Sequence, residues 1–209
     1  MIKVITLRCP SCGHTVSINI GADSRYSTWH DVAAQVNDKK EYGKLLDEYM
    51  EIAEIKGEDE MEVYGINPVE ALNCVNYDVC GVDTVKLIDV EDDAELTVLN
   101  SDASNESIKA SMEKWRALAG KEGVLAFAAM YLCPKTRTPK QGIFLSMRYM
   151  DGKKERYYVY HNKCNDCSTN LVLVDDQHIG FMHDNLPTIA LCEKCHNNLV
   201  VEKVSFKVN

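Results

Sequence analysis

The sequence predicts an α+β protein of two lobes, helices combined with small antiparallel sheets, and three observations predict it. Six of the nine cysteines fall into three Cys-x-x-Cys pairs, each lying between two runs of strand-like residues. Two stretches, 29–56 and 106–118, repeat their apolar residues at spacings of three and four, as an amphipathic helix does. Finally, 209 residues at 45% apolar content are enough for one large core or two small ones without covalent staples.

Residues 1–8 alternate like a strand and run into Cys9 with neither an apolar signal core nor a small-residue cleavage site. A cytoplasmic, reducing location is therefore expected, with the cysteines as thiols or metal ligands and not as disulfides. Residues 15–20, rich in β-branched side chains, read as the return strand. Thr28 is placed to cap a helix over 29–56, with Val32, Val36, Leu45, Leu46, Tyr49 and Ile52 on its apolar positions and Gly57 at its end. Asn67, Pro68 and Glu70 are cap, first-turn proline and third-position carboxylate of a short helix leading into Cys74.

Strands are expected over 84–90 and 95–99, and the polar stretch 101–107 is the best domain boundary. The helix at 106–118 sets Ile108, Met112, Trp115 and Leu118 on one stripe. The apolar run 124–133 is too short to span a bilayer and reads as a buried helical segment, so no membrane is expected as a partner. A strand-rich tail follows, with Asp151-Gly152 as a hairpin turn between 142–150 and 155–160. The expected organisation is an acidic lobe over 1–103, a helical segment over 104–134, and a basic hairpin with a cysteine-bearing tail over 135–209.

The pairs are Cys9/Cys12, Cys164/Cys167 and Cys192/Cys195. Random placement at this cysteine content gives about 0.4 such pairs, so three carry a signal. Two thiolates at this spacing on a tight turn between strands point at one locus, and two such knuckles supply the four sulfurs of a tetrahedral zinc site. Cys164, Cys167, Cys192 and Cys195, with 24 residues between the pairs, resemble the zinc-ribbon superfamily, in which two hairpin knuckles clamp one zinc. The resemblance covers about residues 161–209. It implies a C-terminal zinc ribbon and a place in nucleic-acid-handling machinery or among adaptor proteins.

Cys9 and Cys12 need partners, and Cys74 and Cys80 are the nearest candidates, with His14 as a substitute ligand. The chain is thus expected to hold one zinc, or two with this second site. Cys133, ending an apolar run, reads as a small core residue. The competing reading of Cys9/Cys12 as a thiol redox site requires a helix dipole to activate the first thiol, but the residues that follow alternate with period two. His161 and His196 stand beside knuckle cysteines and are expected near the metal without ligating it.

The net charge of −9 excludes a uniformly basic nucleic-acid binder but hides an uneven distribution. Residues 37–106 hold 20 acidic side chains against five lysines, a balance of −15. Residues 133–163 hold eight cations, Lys135, Arg137, Lys140, Arg148, Lys153, Lys154, Arg156 and Lys163, against two carboxylates, a balance of +6. These cations are interleaved with Phe144, Tyr149, Tyr157, Tyr158 and Tyr160, the mixture that single-strand binders use for phosphates and bases. No phosphate-cradling loop, zincin motif or nucleophile elbow is present. The expectation is a non-enzymatic, zinc-binding regulatory or adaptor module that contacts nucleic acid or a nucleic-acid-handling complex. The alternative is a protein-interaction or inhibitor protein working through its acidic lobe.

Overall fold

The computed structural model describes residues 2–21, 84–88, 124–151, 153–175, 179 and 184–207. Among them are nine strands and no helix: β1 Ile2–Arg8, β2 Thr15–Gly21, β3 Thr84–Lys86, β4 Val124–Leu132, β5 Pro139–Asp151, β6 Lys154–Val159, β7 Val172–Asp175, β8 Leu186–Leu191 and β9 Asn198–Lys207. All join one mixed sheet in the order β3-β7-β4-β2-β1-β9-β8, with β5 on β4 and β6 on β5. The α+β expectation is corrected accordingly: the described part is almost entirely β. The helices expected at 29–56, 67–73 and 106–118, together with Cys74 and Cys80, lie outside the described residues.

At 124–132 the correction has a clear physical cause. Residues expected as buried helix form β4, paired with β5 along its whole length, while its other edge meets β7 at Tyr131 and Leu132 and β2 at Ala128. Ala126 through Leu132 are all buried. A strand covered on both faces reads as an unbroken apolar run, which periodicity cannot distinguish from a short buried helix.

β1 is the second such strand, flanked by β2 and β9, with Ile5 and Leu7 fully buried against Ile18, Ile20, Leu199 and Val201. A register shift in the β1–β9 ladder leaves Glu202 as an extra residue opposite Thr6 and Leu7. Its carboxylate meets Arg8 Nε at 3.1 Å, and Arg8 also donates to Asn185 Oδ1 at 2.9 Å. Phe127 and Phe144 stack across β4 and β5, with ring centroids 4.8 Å apart, in the same core.

Four hairpin ends have one construction. The last ladder pairs are Arg8↔Thr15, Leu132↔Pro139, Lys163↔Asn170 and Leu191↔Asn198, each enclosing six residues. The hexapeptides are 9–14, 133–138, 164–169 and 192–197, and each begins with a cysteine. They combine in two pairs with equivalent register. In one, Arg8 and Leu7 face Val200 and Val201; in the other, Leu132 and Tyr131 face Val172 and Leu173. In both, the residue before the first cysteine pairs with the residue eight beyond the partner cysteine. The protein therefore contains the same ribbon built twice, nested along the chain, a repeat of which the sequence carries only a loose echo.

The two ribbons are joined by more than the single β2–β4 ladder pair. Gln141 Oε1 accepts from Asn19 N at 2.8 Å, and its Nε2 donates to Asn19 O and Ala129 O. Arg137 Nε donates to Ile189 O at 3.0 Å, and Leu191 N donates to Arg137 O.

Candidate metal centres

In every hexapeptide the amide of the first residue donates to the carbonyl of the sixth, and the amide of the fifth donates to the carbonyl of the first, at 2.7–3.1 Å. Closing so tight a turn sends the fifth residue to the left-handed region. That residue is Gly13 in one knuckle (φ 71°), and Arg137, Ser168 and His196 (φ 55°, 58° and 58°) in the others. The first cysteine of each knuckle is buried (Cys9, Cys133, Cys164, Cys192), and the fourth position, Cys12, Thr136, Cys167 or Cys195, is exposed or half-buried. Each knuckle thus aims one side chain inward and one outward around a common point.

The first ribbon brings Cys9, Cys12, Cys192 and Cys195 together, with all four Sγ atoms within 4.8 Å of one another. The contacts are 3.3 Å for Cys9–Cys195, 3.7 Å for Cys12–Cys192 and 3.6 Å for Cys12–Cys195. A zinc bound to four sulfurs at about 2.3 Å requires tetrahedron edges of about 3.8 Å, so the set fits a closed tetrahedral site. The second ribbon brings together Cys133, Cys164 and Cys167, again within 4.8 Å, with Cys133 Sγ 3.5 Å from Cys167 Sγ.

The surroundings favour the thiolate at Cys9 and Cys133 and disfavour it at Cys12 and Cys164. Burial opposes ionisation of Cys9, but the Cys12 amide, the Cys195 thiol and the Ser11 amide outweigh it and bring its pKa down to about 6. At Cys12 the His14 amide favours the thiolate, yet burial and hydrogen bonds to Cys9, Cys195 and Cys192 push it up to about 12. In the second cluster, burial of Cys133 is outweighed by the Thr136 hydroxyl and amide, the Cys167 thiol and the Lys135 amide, and its pKa falls to about 6. Cys164 is raised, chiefly by burial. Thiols this close cannot all ionise together unless a cation lies among them, because each new charge repels the last. Amides aimed at sulfur and thiolates in need of a cation are what a structural metal site presents.

The expected pairing of the knuckles is corrected. Cys164/Cys167 and Cys192/Cys195 do not share a site: the former pair joins Cys133, and the latter joins Cys9/Cys12, because β1 lies beside β9 and β4 beside β7. Cys133, expected as a core residue, is fully buried and also a member of a sulfur cluster. The signal that could have revealed it is Cys-Pro directly after a strand, shared by Cys9-Pro10 and Cys133-Pro134. His14 is not among the clustered donors; its Nε2 lies 3.2 Å from Glu193 Oε1, across the first site. His161 and His196 are exposed.

Of the eight cations singled out, Lys140 is ion-paired with Asp166 at 2.8 Å, which holds that carboxyl below its ordinary range. Arg137 is occupied with Ile189 O. Lys135, Lys153 and Lys163 are exposed, while Arg148, Lys154 and Arg156 lie in the paired strands β5 and β6. Phe144 and Tyr160 are buried and cannot stack on bases. No helix among the described residues is long and apolar enough to cross a membrane.

The two cysteine clusters can hold metal ions such as zinc and are compatible with a zinc-ribbon-like motif. No known protein family, curated protein or solved structure matches the chain.

Proposed function

We propose that this protein is a zinc-binding module without catalytic chemistry, of regulatory or adaptor type. The observation that carries the reading is the approach of Cys9, Cys12, Cys192 and Cys195 from the two ends of the chain to within 4.8 Å. Four thiolates fill a tetrahedral zinc and leave no open position there, which is the chemistry of a fastener and not of a Lewis acid. Such a zinc fastens β1 and β2 to β8 and β9. Two features speak against a redox role at Cys9/Cys12: Cys9 is fully buried, and strand β2, not a helix, follows the knuckle.

A bound structural zinc contributes roughly 10–16 kcal/mol of apparent free energy, comparable with the whole stability of a domain. The purified protein should therefore contain zinc by elemental analysis and melt far lower in a strong chelator. Absence of zinc, with melting indifferent to chelator, would overturn the reading.

The finer part of the proposal is that the β5–β6 hairpin contacts nucleic acid or a nucleic-acid-handling complex. Its support is the +6 balance over 133–163, the exposure of Lys135 and Lys153, and the register that sets Arg148 opposite Tyr157 and Tyr149 opposite Arg156. Binding of a labelled single strand should weaken steeply with salt and on charge reversal of Lys153, Lys154 and Arg156. Absent or salt-insensitive binding would instead favour a protein partner for the acidic stretch 37–106.

A further inference from the structure

The four knuckles correspond position by position in their backbone hydrogen bonds, and one of them differs at a ligand position. The fourth position is cysteine in three of them, Cys12, Cys167 and Cys195, and threonine in the other, Thr136. Contacts inside the knuckles show that Thr136 stands where a sulfur would. The sixth-position side chain reaches the fourth in three knuckles: Asn197 Nδ2 donates to Cys195 Sγ at 3.5 Å, Thr169 Oγ1 lies 2.9 Å from Cys167 Sγ, and Thr138 Oγ1 lies 2.8 Å from Thr136 Oγ1.

Nothing nearby replaces the missing donor among the described residues. Asp166 Oδ2 is 3.9 Å from Cys164 Sγ but is held by Lys140 at 2.8 Å. Threonine is not among the side chains that ordinarily ligate zinc, and zinc sites with three protein ligands keep a small molecule in the fourth position. The corner is also reachable, since Thr136 is half-buried and Lys135 exposed, while Cys133 and Cys164 lie inside.

We infer that the second site binds zinc through Cys133, Cys164 and Cys167 and keeps its fourth coordination position, at Thr136, open to water that an exogenous thiol can displace. The inference rests on the metal-binding reading above. It makes the two ribbons chemically different: the first is a closed fastener, and the second is a site where a soft, anionic sulfur donor can be captured.

The test uses the full chain as purified. Elemental analysis should find two zinc ions per chain and one in Cys133→Ser. A chromogenic chelator should remove one zinc rapidly and the other slowly. In Thr136→Cys the rapid phase should slow by at least about tenfold, since even changes around metal ligands alter affinity by about that much. In the cobalt-substituted protein, 2-mercaptoethanol should raise the thiolate-to-cobalt absorption by about one seventh, as seven cobalt–sulfur bonds become eight, and Thr136→Cys should not respond. Two zinc ions released in one phase, with a spectrum that thiol leaves unmoved, would overturn this inference and spare the metal-binding reading. So would one zinc ion that Cys133→Ser retains. A protein without zinc would overturn both.

Discussion

Replacing both cysteines of a knuckle, so that two ligands and not three remain, and counting zinc tests which cysteines share an ion. Cys12 Sγ lies 3.7 Å from Cys192 Sγ and 3.6 Å from Cys195 Sγ, and Cys9 Sγ lies 3.3 Å from Cys195 Sγ, so serine at position 12 or 195 damages the same site. Cys167 Sγ, 3.5 Å from Cys133 Sγ, belongs to the other. From two zinc ions per chain, Cys9→Ser/Cys12→Ser and Cys192→Ser/Cys195→Ser should each leave one, and their combination should still leave one. Combining Cys192→Ser/Cys195→Ser with Cys164→Ser/Cys167→Ser should leave none. Pairing by sequence proximity, with Cys164, Cys167, Cys192 and Cys195 around a single ion, demands the reverse: those four replacements together would cost one zinc only. The energetic scale makes the readout decisive, because a structural zinc at roughly 10–16 kcal/mol is not held at equal occupancy by a damaged site. The assay is elemental zinc per chain after desalting into metal-free buffer, with thermal denaturation in parallel. One zinc retained when the 164/167 and 192/195 pairs are both replaced, or both lost when the 9/12 and 192/195 pairs are, would refute the assignment.

Other outcomes follow from the same geometry. When the folded, zinc-loaded protein is mildly oxidised, mass mapping should find bridges within each cluster, such as Cys9–Cys195, Cys12–Cys192 and Cys133–Cys167; bridges between 164/167 and 192/195 would contradict the fold. Gly142→Ala sets a Cβ 2.6 Å from the buried Tyr131 ring and 2.8 Å from Asn162 Oδ1, whose amide clamps Ile143 through two hydrogen bonds. Overpacking and loss of that clamp should cost about 3 kcal/mol, a fall of some 5–10 °C in Tm by calorimetry; an unchanged Tm would count against the packing described. Gln141→Ala removes the bonds that tie Asn19 to the second ribbon and should cost about 1–2 kcal/mol, with faster hydrogen exchange at the Asn19 amide. Protection unchanged at Asn19 would show that the ribbons are held together elsewhere.

The knuckles were legible because their signal is local. Cys9/Cys12, Cys164/Cys167 and Cys192/Cys195 each sit between strand-like runs, and each does close a hairpin. The strand expected at 15–20 and the hairpin about 151–152 likewise match β2 and β5–β6, and the strand-like runs flanking Cys164/Cys167 and Cys192/Cys195 match β6, β7, β8 and β9, because alternation and turn residues act over a few positions. Cys133 was not legible. Its knuckle carries threonine where the spacing rule needs cysteine, and the strand before it is buried on both faces. The aromatic stretch misled in part for a related reason: composition cannot say that Phe144 and Tyr160 point into the core while Lys140 is neutralised by Asp166.

By itself the sequence determined that thiols would be presented in pairs on tight turns, since residue spacing and turn chemistry are properties of a few consecutive residues. Which pairs meet was decided only by the tertiary structure. Ladder pairing sets β1 against β9 and β4 against β7, so the termini close one sulfur cluster and the middle of the chain closes another, a choice made by strands far apart in sequence.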